Sequence, residues 1–275
     1  MIVIIQAILT LILSVFYAIE VVDFTNWLSI LSLVGFYIGI NIAYALIVIL
    51  LFIVIVYLTR KVNVKAIWKH DLYMMFSRYF FYTLLRVKVI VKGLENLPKN
   101  KRFVVYANHI EYNDPLYIKQ YYKHTSLAFI AKKPLFRYPI VKDVLKSVGC
   151  IPIGRLADRE SLEAILKGIK QVKDGQPMGL FPEGKRSYSN DLDVFKPGAF
   201  KVAQKSKADL SLVVLYDFHK INEKKLRLRK VKVYMTILPV IPYESYKNMD
   251  TVQISQMVYQ LINQELDQYK NMKNS

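Results

Sequence analysis

Basic side chains are missing from the first 59 residues, where Glu20 and Asp23 are the only charges. A stretch so poor in charge cannot be the surface of a soluble protein, so lipid or protein must cover it. Cysteine is nearly absent: the single Cys150 excludes an internal disulfide, and four scattered histidines offer no paired Cys/His spacing for zinc. A lone thiol fits a reducing compartment for the polar part. No basic n-region precedes the first apolar run and a second run follows it, so a cleavable leader is not expected. Repeats and low-complexity tracts are lacking as well.

What the chain does have is apolar content and positive charge. Over 275 residues, 53% are hydrophobic, which excludes a disordered polypeptide. Beyond residue 59 stand 39 lysines and arginines against 19 acidic residues, a net +20. That excess calls for an acidic partner: nucleic acid, an anionic membrane face, or a negatively charged substrate or carrier.

Ile2 to Val22 forms one apolar run, about 31 Å long as a helix, enough to span a bilayer. Trp27 to Leu58 is a second, too long for one upright span and too short for two, which suits a tilted or kinked helix. Arg60, Lys61 and Lys65 follow at once. The positive-inside rule then predicts an N-terminal membrane hairpin over 1–58 at the cell membrane, with the polar domain facing the cytoplasm; a hairpin dipping into one leaflet is the alternative. Gly35 and Gly39 match the small-xxx-small pattern of close helix approach. Over 59–86, Trp68, Phe76, Tyr79, Phe80, Phe81 and Tyr82 between Lys69, Arg78 and Arg86 predict an interfacial aromatic helix, with a buried aromatic helix as the alternative.

From residue 87 to 275, short apolar runs alternate with longer amphipathic segments, the pattern of an α/β domain with a helix-covered sheet. Strands are predicted over Val87–Val91, Phe103–Ala107, Leu127–Ala131, Cys150–Ile153, Met178–Phe181, Leu210–Tyr216 and Val231–Leu238. Helices are predicted over Pro115–Lys123, Leu135–Lys146, Arg159–Lys173 and Ala199–Lys205, with a last one from near Asp250 packing Ile254, Val258, Leu261, Leu266 and Tyr269 on one face.

Two polar clusters leave buried strands. The first, Asn108 to Pro115, holds a histidine five residues before an aspartate, a pair able to act as a base and its orienting carboxylate. On spacing alone, a structural histidine and a helix-capping aspartate fit as well. The second, Phe181-Pro182-Glu183-Gly184-Lys185-Arg186-Ser187, gathers two cations, a carboxylate and a glycine. Gly179 to Lys185 fits a G-x-x-x-x-G-K spacing. Arg186 replaces the magnesium-holding Ser or Thr, however, and Pro182 lacks a donor, so this is not a nucleotide loop.

In order along the chain, Gly93 to Pro98, Asn108-His109-x-x-x-x-Asp114, Phe129 to Phe136 with Gly149 to Arg155, and Phe181 to Ser187 resemble the motif blocks of the glycerolipid acyltransferase family. The sequence departs from the family pattern at Glu111, where Ser is frequent, at Lys185, where Thr is usual, and in Leu210 to Val214, which lacks a proline. The resemblance implies a mixed sheet covered by helices and transfer of a fatty acyl group from a thioester to the hydroxyl of a lysophospholipid such as 1-acylglycerol 3-phosphate. It implies His109 as general base and Asp114 as its partner. Lys132, Arg155 and Arg186 become candidates for gripping the acceptor phosphate, with Glu183 and Gly184 shaping the same pocket. Acyl carrier protein or acyl-CoA would be the donor substrate, with no cofactor or metal, and membrane phospholipids the surroundings. Cys150 is read as an inert buried thiol. Other acceptors, including glycerol 3-phosphate or a lyso-aminolipid, keep the same chemistry. A membrane-tethered nucleic-acid-binding protein would explain the charge but not the ordered motifs, so no nucleic acid is expected.

Overall fold

The computed structural model describes residues 2–81, 85–154, 159–223 and 230–274. Helices α1 (Ile2–Glu20) and α2 (Trp27–Thr59) are long and apolar enough to cross a bilayer. They pair antiparallel. Gln6 Nε2 donates to Asn41 Oδ1 at 2.8 Å, Tyr17 stacks on Phe36 at 4.0 Å, and the Tyr44 hydroxyl reaches the Ile2 carbonyl at 3.3 Å. Asn26 starts α2 by accepting from the Leu28 N–H at 3.0 Å. A Cβ added at Gly35 or Gly39 would meet nothing within 4 Å, so the small-residue pair is not where the two helices meet.

Helix α3 (Ile67–Phe80) is shorter than the predicted 59–86 segment, of which Tyr82 lies outside the described residues. It turns Phe76 and Tyr79 onto Val48 of α2 and leaves Trp68 exposed. Lys69 is wholly buried, its Nζ donating to the Val62 carbonyl at 2.8 Å. Buried His70 bonds the Val64 carbonyl at 2.7 Å, and burial holds its ring down at about 4.

The seven strands fall where the apolar runs predict them: β1 (Val87–Lys92), β2 (Phe103–Ala107), β3 (Ala128–Lys132), β4 (Ile151–Ile153), β5 (Met178–Leu180), β6 (Asp209–Tyr216) and β7 (Val231–Ile237). They form one sheet in the order β1-β7-β6-β2-β5-β3-β4. From β6 to β4 all strands are parallel; β7 runs antiparallel to β6, with β1 parallel to β7. This is the mixed, helix-covered sheet that was expected.

The remaining helices are α4 (Asp114–Lys119), α5 (Pro139–Ser147), α6 (Arg159–Lys173), α7 (Lys201–Ser206), α8 (Tyr243–Tyr246) and α9 (Thr251–Asn274). Alternate side chains of β2 enter opposite layers. Val104 and Tyr106 meet α6, α7 and α9, while Phe103, Val105 and Ala107 meet Tyr117 and Ile118 of α4. Burial on both faces makes β2 an unbroken apolar run rather than an alternating one.

Helix boundaries depart from the expectation where proline or a side-chain bond intervenes. The predicted 135–146 helix is a 3₁₀ turn (Lys133–Arg137) followed by α5, because Pro139 drives Tyr138 into extended backbone (φ −82°, ψ 120°). The predicted 115–123 helix stops at Lys119, whose Nζ caps the following loop at the Tyr122 and Thr125 carbonyls. A 3₁₀ turn over Pro197–Phe200 precedes α7. On α9 it is Ile262, rather than Leu261, that is fully buried with Ile254, Val258, Leu266 and Tyr269.

Candidate active site

The parallel strands end together on one edge of the sheet, and the chain leaving them supplies the polar residues. Loops beyond the carboxyl ends of parallel strands are the usual place for a site in such folds. As β2 ends, Asn108 turns inward and clamps the backbone of β6. Its amide donates to the Leu215 carbonyl at 2.9 Å and its oxygen accepts from the Leu215 N–H at 2.8 Å. This buried clamp fixes the exit direction of the next residue, His109.

His109 Nδ1 lies 2.9 Å from Asp114 Oδ2. The same oxygen accepts from the backbone N–H groups of Ile110 and Glu111 at 2.7 and 2.8 Å. Asp114 is fully buried at the start of α4, with Pro115 in the first turn, where a missing N–H costs nothing. Burial pushes its carboxyl up, against the pull of His109 and the two N–H groups. With Nδ1 donated to Asp114, the Nε2 lone pair is left to meet a substrate proton. Of the readings left open by the sequence, helix capping is not what Asp114 does: Asn113 stands at the N-cap position, and the Asp114 carboxylate is turned back to His109 and the preceding loop.

One face of the His109 ring stacks on Phe181 at 4.1 Å, and Phe181 stacks in turn on Phe129 at 6.0 Å. Phe129 lies flat because its register partner is Gly179; a Cβ there would sit 2.3 Å from the Phe129 ring. The glycine of the apparent nucleotide-loop spacing is therefore a strand residue making room for an aromatic ring.

The loop after β5 wraps around His109. The Ser187 N–H donates to the His109 carbonyl at 2.8 Å. Glu183, named from the sequence as shaping a phosphate pocket, is turned inward and buried. Its Oε1 accepts the His109 N–H at 2.8 Å and its Oε2 the Asp193 N–H at 3.3 Å. Burial raises its carboxyl to about 7. Gly184 takes positive φ (+71°) in the turn, with Lys196 against the position a Cβ would fill. Lys185 points away to Asp193.

The Arg186 guanidinium lies 3.3 Å over the ring of Tyr112 and 5.1 Å from that of Tyr188. Its Nη1 is buried without a hydrogen-bond partner among the described residues. A buried guanidinium nitrogen with no acceptor is costly, so Arg186 lacks a partner that an anion could supply if the overlying Tyr112 ring moved aside. Lys132 ends β3 on the same edge. Arg155 lies outside the described residues. Glu111, one of the departures from the family pattern, is buried and holds the loop through the Asn113 N–H and the Asn222 amide. Burial raises its carboxyl. Cys150 sits behind β3, its thiol pushed up to about 11 by burial.

Sequence reasoning gave no role to Asn108, Phe181 or Tyr112. All three stand within the quoted blocks, but their partners are supplied by distant strands and loops. Asn190 was missed too: it exchanges hydrogen bonds with Asp217, 2.7 Å to its N–H and 3.1 Å to Oδ1, and so ties the 183–190 loop to the end of β6.

The sequence profile of the acyltransferase family matches residues 88–241, which include both loops and six of the seven strands in full. The chain belongs to the acyltransferase family. A relative from Borreliella burgdorferi, a 1-acyl-sn-glycerol-3-phosphate acyltransferase, is 31% identical over 188 residues, 68% of this chain and 75% of that protein. A chloroplastic 1-acyl-sn-glycerol-3-phosphate acyltransferase of Arabidopsis thaliana is 34% identical over 131 residues, 47% of this chain; the alignment spans only 35% of the plant protein. The crystal structure of the 1-acyl-sn-glycerophosphate (LPA) acyltransferase PlsC from Thermotoga maritima superposes with a TM-score of 0.57. It covers 80% of this acyltransferase and 95% of that chain at 21% identity, which establishes the shared fold.

Proposed function

We propose that this acyltransferase moves a fatty acyl group from a thioester to the free hydroxyl of 1-acylglycerol 3-phosphate, producing phosphatidic acid. The observation that carries the reading is a histidine held by a buried carboxylate beside a guanidinium with a spare donor. In this mechanism His109 Nε2 takes the hydroxyl proton as the oxygen attacks the thioester carbonyl. Asp114 keeps the ring oriented and stabilises the imidazolium that forms. Collapse of the tetrahedral intermediate breaks the C–S bond, and the proton held on His109 passes to the departing sulfur. Oxygen gains the acyl group, the carrier leaves as a thiol, and no acyl-enzyme forms.

Arg186 offers a two-pronged contact to the acceptor phosphate, with Lys132 a further cation on that edge and Arg155 a candidate from the sequence alone. Glu183 and Gly184 serve the same pocket indirectly, by fixing the turn that carries Arg186. The donor is acyl carrier protein or acyl-CoA, both acidic partners for a basic domain. The hairpin anchors the enzyme in the cell membrane among its phospholipids, with the sheet domain on the cytoplasmic side where Arg60, Lys61 and Lys65 emerge.

The test offers purified protein lysophosphatidate, lysophosphatidylcholine and glycerol 3-phosphate, each with both donors. Phosphatidic acid from lysophosphatidate is the expected product, and preference for an acceptor without phosphate would overturn the reading. Arg186→Ala should raise the acceptor KM while sparing the donor KM, a loss of about 2 to 5 kcal/mol for a desolvated pair.

A further inference from the structure

Strands β3 and β4 are parallel neighbours, so a chain leaving β3 at Lys132 on the His109 edge must return to the far edge before β4 begins at Ile151. Residues 133–147 make that return. The 3₁₀ turn and the first turn of α5 therefore lie on the His109 edge, and Ser147 lies toward the far one.

Helix α2 finishes beside Ser147. The Ser147 hydroxyl donates to the Tyr73 hydroxyl at 3.2 Å, which in turn meets Thr59 Oγ1 at 2.7 Å, on the last residue of α2. Beyond that end, the Lys65 ammonium reaches the Asp174 carbonyl just ahead of β5, on the same far edge. The body of α2 thus comes back along the domain, packed against α5 and α3, toward the edge that carries His109. Its 33 residues span about 50 Å, against about 30 Å of hydrocarbon. The half paired with α1 ends near Tyr44; beyond it Val48 and Val56 are buried against protein while Leu46, Ile47, Leu50, Tyr57 and Leu58 stay exposed. Where the hairpin enters lipid, the His109 edge of the sheet therefore faces the leaflet.

On that edge the return segment exposes Leu135, Tyr138, Ile140 and Val141, with Tyr138 63% exposed. Lys133, Arg137 and Lys142 accompany them, Lys133 paired with Glu160, and Asp143 is the one acidic residue of the segment. Apolar side chains beside cations suit the boundary between acyl chains and anionic headgroups. We propose that residues 133–147 form a second lipid-contact element, which dips Leu135, Tyr138, Ile140 and Val141 into an anionic leaflet and seats the mouth of the site on the membrane. The proposal rests on the hairpin reading given above. A lysolipid acceptor then reaches His109 without leaving the lipid phase.

The test uses the full chain in nanodiscs of phosphatidylcholine and phosphatidylglycerol, with an environment-sensitive fluorophore attached at Ile140→Cys, at Ile38→Cys in α2, or at Lys101→Cys on the far edge. Cys150, which is partly exposed, is changed to alanine in every labelled protein. Nitroxide-bearing lipids should quench the labels at 140 and 38 and spare the one at 101. Quenching at 38 but not at 140 overturns the proposal and leaves the hairpin standing; absence of quenching at both brings down the two together. Shielding at 140 without nitroxide quenching, accompanied by a doubled mass, assigns the surface to a second copy of the chain and overturns it too.

As a second measurement, the triple variant Tyr138→Ser, Ile140→Ser, Val141→Ser should lose about tenfold in turnover of a long-chain acceptor embedded in anionic vesicles, as expected for lost apolar insertion, yet keep turnover of a short-chain, water-soluble acceptor. Equal loss on both acceptors, or none on either, counts against the proposal. Failure of the acyl-transfer reading looks different: the wild type would turn over neither acceptor while the label at 140 was still quenched.

Discussion

Helix α1 and strand β2 are both almost wholly apolar, yet their burial is opposite. Along α1 only Thr10 is buried by protein, whereas every residue of β2 is. The difference lies in the neighbours. Helix α1 satisfies its own backbone and can leave its side chains to lipid, whereas β2 needs β5 and β6 for its hydrogen bonds and helices on both faces. Similar composition therefore means a solvent boundary in one region and a packed core in the other. The polar residues of interest begin where β2 ends and its two-sided burial gives way to loop.

The comparison breaks most sharply if chemistry and anchorage are not separable. His109→Ala should lower kcat by about 10² to 10⁴ while membrane partition and donor KM stay the same, measured by acyl-transfer kinetics and vesicle flotation on one preparation. Asp114→Asn should be nearly as severe, and the double variant scarcely worse than His109→Ala, because the two act as one unit. Loss of membrane binding by His109→Ala would show that the two regions are coupled.

One substitution made in both regions sharpens it further. Leu212→Ala, at a fully buried position in β6, should cost about 2 to 5 kcal/mol in a denaturant titration of the sheet domain. Leu11→Ala, at a position 65% exposed in α1, should change that transition by less than about 0.5 kcal/mol.

Gly179→Ala tests how far the core reaches into the site. The new methyl must displace the Phe129 ring, and through Phe181 the face of His109, so about 1 to 3 kcal/mol of stability should go, with a fall in kcat rather than in acceptor affinity.

The smallest effect concerns Glu183. Its folded-state value of about 7 lies above the ordinary 4.5, so the folded protein keeps a proton that the unfolded chain has released. Stability from this group is full below about 4.5 and is lost as pH rises through 7. Glu183→Gln cannot ionise; it should be the less stable protein at pH 5, with the gap to the wild type narrowing by pH 8 in paired denaturation curves.

The hairpin is not an appendage, because α3 covers its aromatic face with the second half of α2. The run of uncharged residues marked the extent of the two apolar helices but not which of their faces would meet protein. Val48 and Val56 lie within an unbroken apolar run, and only packing shows that they are buried in protein. The same limit applies at the site. His109 and Asp114 were legible because a five-residue spacing leaves little freedom in how the two can meet. Glu183 was named as shaping a phosphate pocket, but its inward turn was not legible, because its partner, the His109 N–H, is 74 residues away.

By itself the sequence determined the seven strands, the two apolar helices and the histidine–aspartate pair. Those are set by short-range terms: unbroken apolar runs, loss of charge, and close spacing. Only the tertiary structure decided the strand order, the inward turn of Glu183, the Phe129–Phe181–His109 stack on Gly179, and the packing of α2 against α3 and α5. Each of these depends on contacts between segments far apart in the chain, whose pairing is chosen by burial of the whole sheet rather than by any local preference.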